Sequence, residues 1–152
     1  MEYEIEVVDR QSEDTAVIRD RAAHGAVGAF IATALQELLE SLGTDPVDGP
    51  PFCRIEIDDE EFLLEVGFPV ERPVEASGRI VASSLPGGPV ATVMNVGPYD
   101  SVPAAYWAIE AWLGEHGYEP TGAPWESYLD GPEVPNPRTL VCMPCRRVVA
   151  AR

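Results

Sequence analysis

The heptapeptide Gly122-Ala-Pro-Trp-Glu-Ser-Tyr128 places a carboxylate between two large aromatic side chains directly after a turn. Side chains of a β-strand alternate between its two faces, so Glu126 and Tyr128 would share one face while Trp125 and Ser127 share the other. A carboxylate on an otherwise apolar face needs a partner, because burying it unpaired is costly or forces it to take up a proton. That partner could be a ligand. The alternative is that Glu126 lies on the solvent face of an edge strand.

The charge balance limits the classes of partner. The chain has 152 residues, enough for one domain, and its 26 acidic and 10 basic residues give a net charge of −16. This charge argues against direct binding to nucleic acid or to an anionic membrane, and it favours cationic ligands or basic protein surfaces. General solubility would also explain it, because the acidic residues are scattered along the chain.

The sequence also indicates a compartment. It contains no run of about 18 apolar residues, and its first residues, Met1-Glu-Tyr-Glu-Ile-Glu6, lack the basic and apolar parts of a signal peptide. Three cysteines fit a reducing environment better than a disulfide framework. We therefore predict a cytoplasmic protein.

Hydrophobic periodicity and turn residues predict an α+β chain. Strands are expected at 3–8, 14–22, 52–57, 62–70, 78–85 and 89–96, with an acidic turn at 58–61 and helices at 25–42 and 101–116. Two further strands should contain the segments 125–128 and 141–145.

The order of elements repeats within the chain. Gly49-Pro-Pro-Phe-Cys-Arg-Ile55 aligns with the Gly122–Tyr128 heptapeptide, and Val66-Gly-Phe-Pro-Val70 aligns with Val141-Cys-Met-Pro-Cys145 at nearly the same spacing. We predict tandem strand–helix–strand–strand modules, about 3–72 and 73–146, related by a pseudo-two-fold axis within a single domain.

This alignment predicts an asymmetric cleft between equivalent strands. Where one half has Glu126 and Tyr128, the other has Cys53 and Ile55, so an acid would face apolar groups. Such a cleft suits a lipophilic cation, because aromatic faces add cation–π attraction of roughly 0.5–2 kcal/mol each and the carboxylate supplies the counter-charge.

An ordered set of motifs resembles a known family. Gly67-Phe-Pro-Val70, Leu85-Pro-Gly-Gly88 followed by Val90-Ala91, Gly97-Pro-Tyr99 and Trp125-Glu-Ser-Tyr128 are similar to those of the GyrI-like small-molecule-binding domain. This is the effector-binding domain of multidrug-responsive transcription regulators. The resemblance covers roughly residues 3–145 and implies a duplicated α+β fold with a curved antiparallel sheet, two long helices and a central pocket.

The resemblance also implies site residues. By motif position, Glu126 is the electrostatic anchor for lipophilic, often cationic, aromatic drugs, with Tyr128 and Tyr99 as its aromatic neighbours. Beyond the resemblance, we expect Cys53 and Ile55, which the internal alignment places on the facing strand, and Phe68 to complete the ligand contacts. Some stand-alone members of the family resemble hydrolases of cyclopropane-bearing toxins, in which case Glu126 and Tyr128 would be catalytic here. No cofactor or metal is expected.

The sequence departs from the family pattern in two ways. The polar position before Gly-Pro-Tyr is often histidine in the family, whereas this chain has Met94-Asn95-Val96 there. No helix-turn-helix segment is recognisable, so direct binding to DNA is not expected.

Other motifs receive structural interpretations. Cys142-Met-Pro-Cys145 has C-x-x-C spacing but no following helix and no matching second ligand pair, so we interpret it as part of a strand. His24 and His116 should lie at helix ends. Tyr106, Trp107 and Trp112 have helical spacing and are interpreted as core residues.

Three hypotheses remain open from the sequence. The first is a stand-alone binder of lipophilic cations or aromatic molecules, serving drug sensing, drug resistance or sequestration. The second is a hydrolase of electrophilic toxins that uses Glu126 as a general base on water. The third is an acidic interaction protein that inhibits DNA gyrase or acts on a regulator.

Overall fold

The computed structural model describes residues 3–43, 47–58, 61–131 and 133–149. Its strands are β1 (Ile5–Arg10), β2 (Glu13–Ala23), β3 (Phe52–Asp58), β4 (Glu61–Pro69), β5 (Ile80–Leu85), β6 (Gly88–Val96), β7 (Tyr118–Pro120), β8 (Trp125–Tyr128) and β9 (Arg138–Arg147). Its α-helices are α1 (Val27–Leu42) and α2 (Val102–Glu115), each preceded by a short 3₁₀ turn. The predicted α+β class is confirmed.

The chain divides into two compact units. One, the continuous unit, consists of residues 12–86. The other, the discontinuous unit, combines the residues before 12 with those after 86. The predicted module boundary near residue 72 and the internal duplication stay predictions.

The sheet of the discontinuous unit is antiparallel, in the order β1-β6-β9-β8. Strand β9 pairs with β6 along one edge, and on its other edge it pairs with β8 and then with the short strand β7. This arrangement draws the first strand of the chain into a ladder with β6, where Val7 lies opposite Ala91.

The helix α2 covers one face of this sheet. Its buried residues Val102, Ala105, Ile109 and Leu113 recur at helical spacing. They pack against alternate residues of β6 and β9, which are Ala91, Val93, Val141, Met143 and Cys145. The inward-facing residues of the sheet and the buried stripe of the helix therefore pack into one apolar cluster.

The continuous unit has an antiparallel sheet in the order β3-β4-β2-β5. Helix α1 packs against β2 and β4 through its buried residues Ala34, Leu38 and Leu42. It ends at Gly43, which adopts a φ of 56° and donates its backbone N–H to the carbonyl of Leu39 at 3.1 Å. A positive φ is the reason for glycine at this helix end.

The predicted elements before residue 117 are all present. Residues 59 and 60 of the predicted acidic turn lie outside the described part of the chain. Strand β7 was not predicted, because it has only three residues and ends in proline. The interpretation of Trp107 as a core residue is wrong: its side chain is 70% exposed on α2.

Neither described helix is long and apolar enough to cross a bilayer.

Candidate functional site

The strand β8 places Glu126 and Tyr128 on the sheet face that α2 covers. Glu126 lies opposite Val141 of β9, which in turn lies opposite Val93 of β6, and both valines belong to the core beneath the helix. Because strand residues alternate, Tyr128 shares this face and Trp125 belongs to the other one.

Two tyrosine hydroxyls hold the Glu126 carboxylate. Tyr106 of α2 donates to Oε2 at 2.8 Å, and Tyr128 donates to Oε1 at 3.3 Å. Glu126 is only 9% exposed. The sequence did not reveal the part played by Tyr106, because its position in the helical period marks it as a core residue in the same way as its neighbours.

Burial governs the electrostatics of this carboxylate. Desolvation raises the pKa of Glu126 above its ordinary value, and the hydrogen bonds from Tyr106 and Tyr128 oppose that rise without cancelling it. Among the described residues, no basic side chain forms an ion pair with Glu126. The phenol hydroxyls therefore stabilise a negative charge that no cation of the described chain neutralises.

Tyr99 forms a T-shaped pair with Tyr128 and adds a third tyrosine to the group around the carboxylate. The two ring centroids are 5.9 Å apart and the ring planes make an angle of 83°. The Tyr99 hydroxyl donates to the backbone carbonyl of Asp130 at 3.0 Å, and the Asp130 carboxylate accepts from Arg138 Nε at 2.9 Å. The hydroxyl contact ties Tyr99 to the segment after β8, and the ion pair ties that segment to Arg138 of β9.

A buried polar network holds the turn that carries Tyr99. Asn95, 1% exposed, accepts from the Tyr3 hydroxyl at 3.2 Å and donates to Ser101 Oγ at 3.0 Å. Ser101 Oγ donates to the carbonyl of Pro98 at 2.6 Å. Asn95 is thus a structural anchor of residues 97–101.

The other face of β8 carries Trp125, whose side chain is fully buried. The guanidinium carbon of Arg10 lies 5.7 Å from the centroid of the Trp125 ring, within the range of a cation–π contact. The indole Nε1 has no hydrogen-bond partner among the described residues.

The remaining predicted ligand contacts belong to the continuous unit. Cys53 and Ile55 are two residues apart on β3, so they share one face of the strand. They lie opposite Val66 and Leu64 of β4. Phe68 lies on the same face of β4 as these two residues. Cys53 is fully buried and Phe68 is 7% exposed, whereas Ile55 is half-buried. Within its unit the structure brings these three side chains to one face. Their assignment as ligand contacts stays a prediction.

The cysteines of the C-x-x-C motif lie in β9, as the strand interpretation predicted. Cys142 and Cys145 are both buried thiols. Three positions apart on a strand, they point to opposite faces of the sheet. Within the described ranges, no cluster of three histidine, cysteine or acidic side chains is arranged to hold a metal ion.

The family comparison gives a match over almost the whole chain. The family model for the GyrI-like small molecule binding domain matches residues 3–146. The comparison with curated proteins finds no match.

Several solved structures share the fold. The C-terminal domain of EcmrR is 22% identical, with a TM-score of 0.85 over 97% of this chain and 100% of that one. This chain spans 58% of the longer EcmrR chain in a complex with DNA. SAV2435 bound to tetraphenylphosphonium gives 12% identity and a TM-score of 0.65, over 96% of this chain and 94% of that one. A hydrolase from Listeria innocua is 14% identical, with a TM-score of 0.61 over 93% of this chain and 91% of that one.

Proposed function

The chain belongs to the family of GyrI-like small molecule binding domains, and from this premise we propose that it binds lipophilic cations through the Glu126 carboxylate. The bound cation would be an aromatic or otherwise apolar drug or toxin. The biological role would be sensing, as in an effector-binding domain, or sequestration that contributes to drug resistance.

One observation supports this proposal most directly: Glu126 is nine-tenths buried, and its hydrogen-bond donors are neutral phenols. A buried carboxylate without a cation bears a desolvation cost that its hydrogen bonds only partly offset. A ligand cation would supply the missing counter-charge and restore the charged form of the acid. The net charge of −16 would raise the local concentration of such ligands.

The aromatic side chains explain why the cation should be lipophilic. Tyr99 is 38% exposed and forms a T-shaped pair with Tyr128, so it adds exposed aromatic surface next to a residue that holds the carboxylate. Aromatic stacking and a single charge constrain ligand shape only loosely, so broad specificity follows. Micromolar affinity, about −8 kcal/mol, is the natural scale of such a site.

The comparisons support the same ligand class. SAV2435, which shares the fold, was solved with tetraphenylphosphonium, a lipophilic cation. The C-terminal domain of EcmrR also shares the fold, and the longer EcmrR chain was solved in a complex with DNA, so a domain of this fold occurs within a DNA-binding protein.

Calorimetric titration of tetraphenylphosphonium tests the proposal. We expect saturable micromolar binding to the wild type, weakened at least about tenfold in Glu126→Gln. The matched control is Glu110→Gln, which removes the same charge from an exposed position of α2 and should bind as the wild type does. Neutral triphenylphosphine oxide should bind wild type and Glu126→Gln equally. Equal affinity of Glu126→Gln and Glu110→Gln for the cation would refute the role of Glu126.

A second candidate function is ring-opening hydrolysis of cyclopropane-bearing electrophiles. The raised pKa of Glu126 and the nearby Tyr128 hydroxyl favour it, because a general base works best with a pKa near the operating pH. Glu126 would take a proton from water as the water oxygen bonds to a ring carbon. The broken C–C bond would pass its electron pair to a conjugated carbonyl oxygen, which Tyr128 would hydrogen-bond and protonate, and Glu126 would return a proton to Tyr128.

Product analysis with protein well below the toxin concentration separates the two functions. A hydrolase releases many equivalents of ring-opened product, and Glu126→Gln abolishes the excess over the spontaneous rate. Product that never exceeds one equivalent of protein rules out turnover and leaves cation binding as the function.

A further inference from the structure

A groove of about 470 Å³ lies on one face of the sheet in the continuous unit. Two adjacent rows of side chains, each crossing three paired strands, form most of its wall: Arg54, Glu65 and Arg19, then Glu56, Leu63 and Arg21. The rows are two residues apart on each strand, so all six side chains share one face. Cys53 and Ile55 belong to the other face.

The first row holds two guanidinium groups and one carboxylate. Glu65 lies directly opposite both Arg54 and Arg19 in the strand register. Its Oε1 is 3.4 Å from Nη2 of Arg19, and the same nitrogen donates to Ser83 Oγ at 2.9 Å. Glu65 and Ser83 therefore satisfy Arg19, and Arg54 lacks a counter-ion in this row.

Arg54 is the unusual member of the groove. Its side chain is half-buried, and it makes no hydrogen bond or ion pair with any residue that the structure describes. Its Nε is shielded from solvent and lacks an acceptor. A buried donor without an acceptor is costly, and more so when it belongs to a charged group. The groove thus presents a guanidinium that forms no ion pair within the described chain, and its terminal Nη atoms are the ones open to an acceptor from outside.

Among ligands, the wall favours a small monoanion over a polyanion, because Asp20, Glu56 and Glu65 lie among its lining residues beside the three arginines. A planar guanidinium pairs with a carboxylate through two parallel hydrogen bonds, a geometry that a halide cannot use. Half-buried Leu63 offers an apolar surface in the adjacent row. Glu56 and Glu65 would repel a polyanion, as would the net charge of −16. The volume lies in the range of small-molecule sites, about 300–1,000 Å³.

We propose that this groove is a second binding site, for small apolar monocarboxylates held by Arg54. It is separate from the Glu126 site in the residues it uses, in the sign of the ligand charge and in the unit that carries it. The proposal does not depend on cation binding at Glu126.

Titration of ¹⁵N-labelled protein with benzoate, followed through backbone amide shifts, tests the proposal. We expect saturable shifts of residues 19–21, 54–56 and 63–65, and affinity reduced at least about tenfold in Arg54→Gln. Benzamide, the neutral analogue of the same shape, should cause no saturable shifts there. Arg54→Lys keeps the charge but loses the planar fork, so its benzoate affinity should lie between those of the wild type and Arg54→Gln.

Two controls isolate the role of Arg54. Arg146→Gln removes one positive charge from an exposed residue of the discontinuous unit and should retain wild-type benzoate affinity. Glu110→Gln, which removes a charge from an exposed position of α2, should do so as well. The proposal is overturned if benzoate causes no saturable shift, if the shifts concentrate at residues 126–128, or if Arg54→Gln and Arg146→Gln bind equally. If Arg54→Gln fails to fold, wild-type affinity in Arg54→Lys overturns the paired hydrogen-bond geometry.

Discussion

A carboxylate buried with two phenols as its donors holds its proton to higher pH than an exposed one. Below the pKa of glutamate in an unfolded chain, about 4.3, Glu126 is protonated in both the folded and unfolded states. Above it, the unfolded chain releases the proton before the folded protein does, because burial raises the folded pKa. The stability that Glu126 contributes is therefore complete below pH 4 and is lost as pH rises through the folded pKa.

This linkage predicts how Glu126→Gln changes stability with pH. Relative to the wild type, the variant should gain free energy of unfolding as pH increases from 4 to 7, because it has no buried carboxyl group at position 126 that must ionise. Urea unfolding of both proteins at unit pH intervals measures the difference. A difference that stays constant with pH would contradict the desolvated state of Glu126.

The two tyrosines that hold Glu126 should differ in their contributions. Tyr106→Phe removes a hydrogen bond of 2.8 Å to the carboxylate and should lower the free energy of unfolding at pH 7 by about 1–3 kcal/mol. Tyr128→Phe removes a longer contact of 3.3 Å and should cost less. Both variants should raise the pKa of Glu126, which ¹³C carboxyl shifts would report. The assignment fails if Tyr106→Phe leaves that pKa unchanged.

The elements follow from local signals, whereas their functional side chains depend on packing. Helical periodicity located α2, yet it treated Tyr106 and Trp107 as core residues. The structure directs Tyr106 to Glu126 and leaves Trp107 in solvent. The difference arises from where the sheet meets the helix, which depends on strand order and is not encoded in the helix sequence. In the same way, the row of Arg54, Glu65 and Arg19 exists only once three strands are in register.

Two glycines of the continuous unit should respond in opposite directions to alanine. A Cβ on Gly67 of β4 would fall 2.6 Å from Val17 Cγ1 and even closer to the Ala16 carbonyl oxygen, so Gly67→Ala must displace backbone. We expect a loss of about 1–3 kcal/mol or more. Gly28 of α1 has open space around it, and Gly28→Ala should stabilise by up to about 1 kcal/mol through helix propensity. Thermal unfolding compares the pair, and tolerance of Gly67→Ala would contradict the close approach of β2 and β4.

At the scale of the whole molecule, the fold class and family could be predicted because motifs and periodicity recur over nearly the entire chain. The strand pairings could not be predicted in the same way. The pairing of β1 with β6 and of β5 with β2 joins segments that are distant in sequence. Local patterns specify that a segment is a strand but leave its neighbour open.

The overall charge predicts a salt dependence of ligand binding. The Debye screening length falls from about 30 Å at 0.01 M to about 3 Å at 1 M salt. The attraction between a protein of charge −16 and a cation therefore weakens as salt is added. Tetraphenylphosphonium affinity should fall roughly several-fold between 0.02 and 0.5 M NaCl. Triphenylphosphine oxide, being neutral, should show no comparable fall. Calorimetry at both salt concentrations makes the comparison, and equal salt dependence of the two ligands would exclude long-range attraction.

The pairing of β1 with β6 has a consequence for the order of synthesis. The partner of strand β1 is translated roughly 80 residues after it, on the order of 4–16 s later at about 5–20 residues per second. During that interval the ribosome completes all of residues 12–86, whose strands pair among themselves. The nascent chain would therefore carry an unpaired β1 with the apolar residues Ile5, Val7 and Val8, a short-lived target for chaperones until β6 emerges.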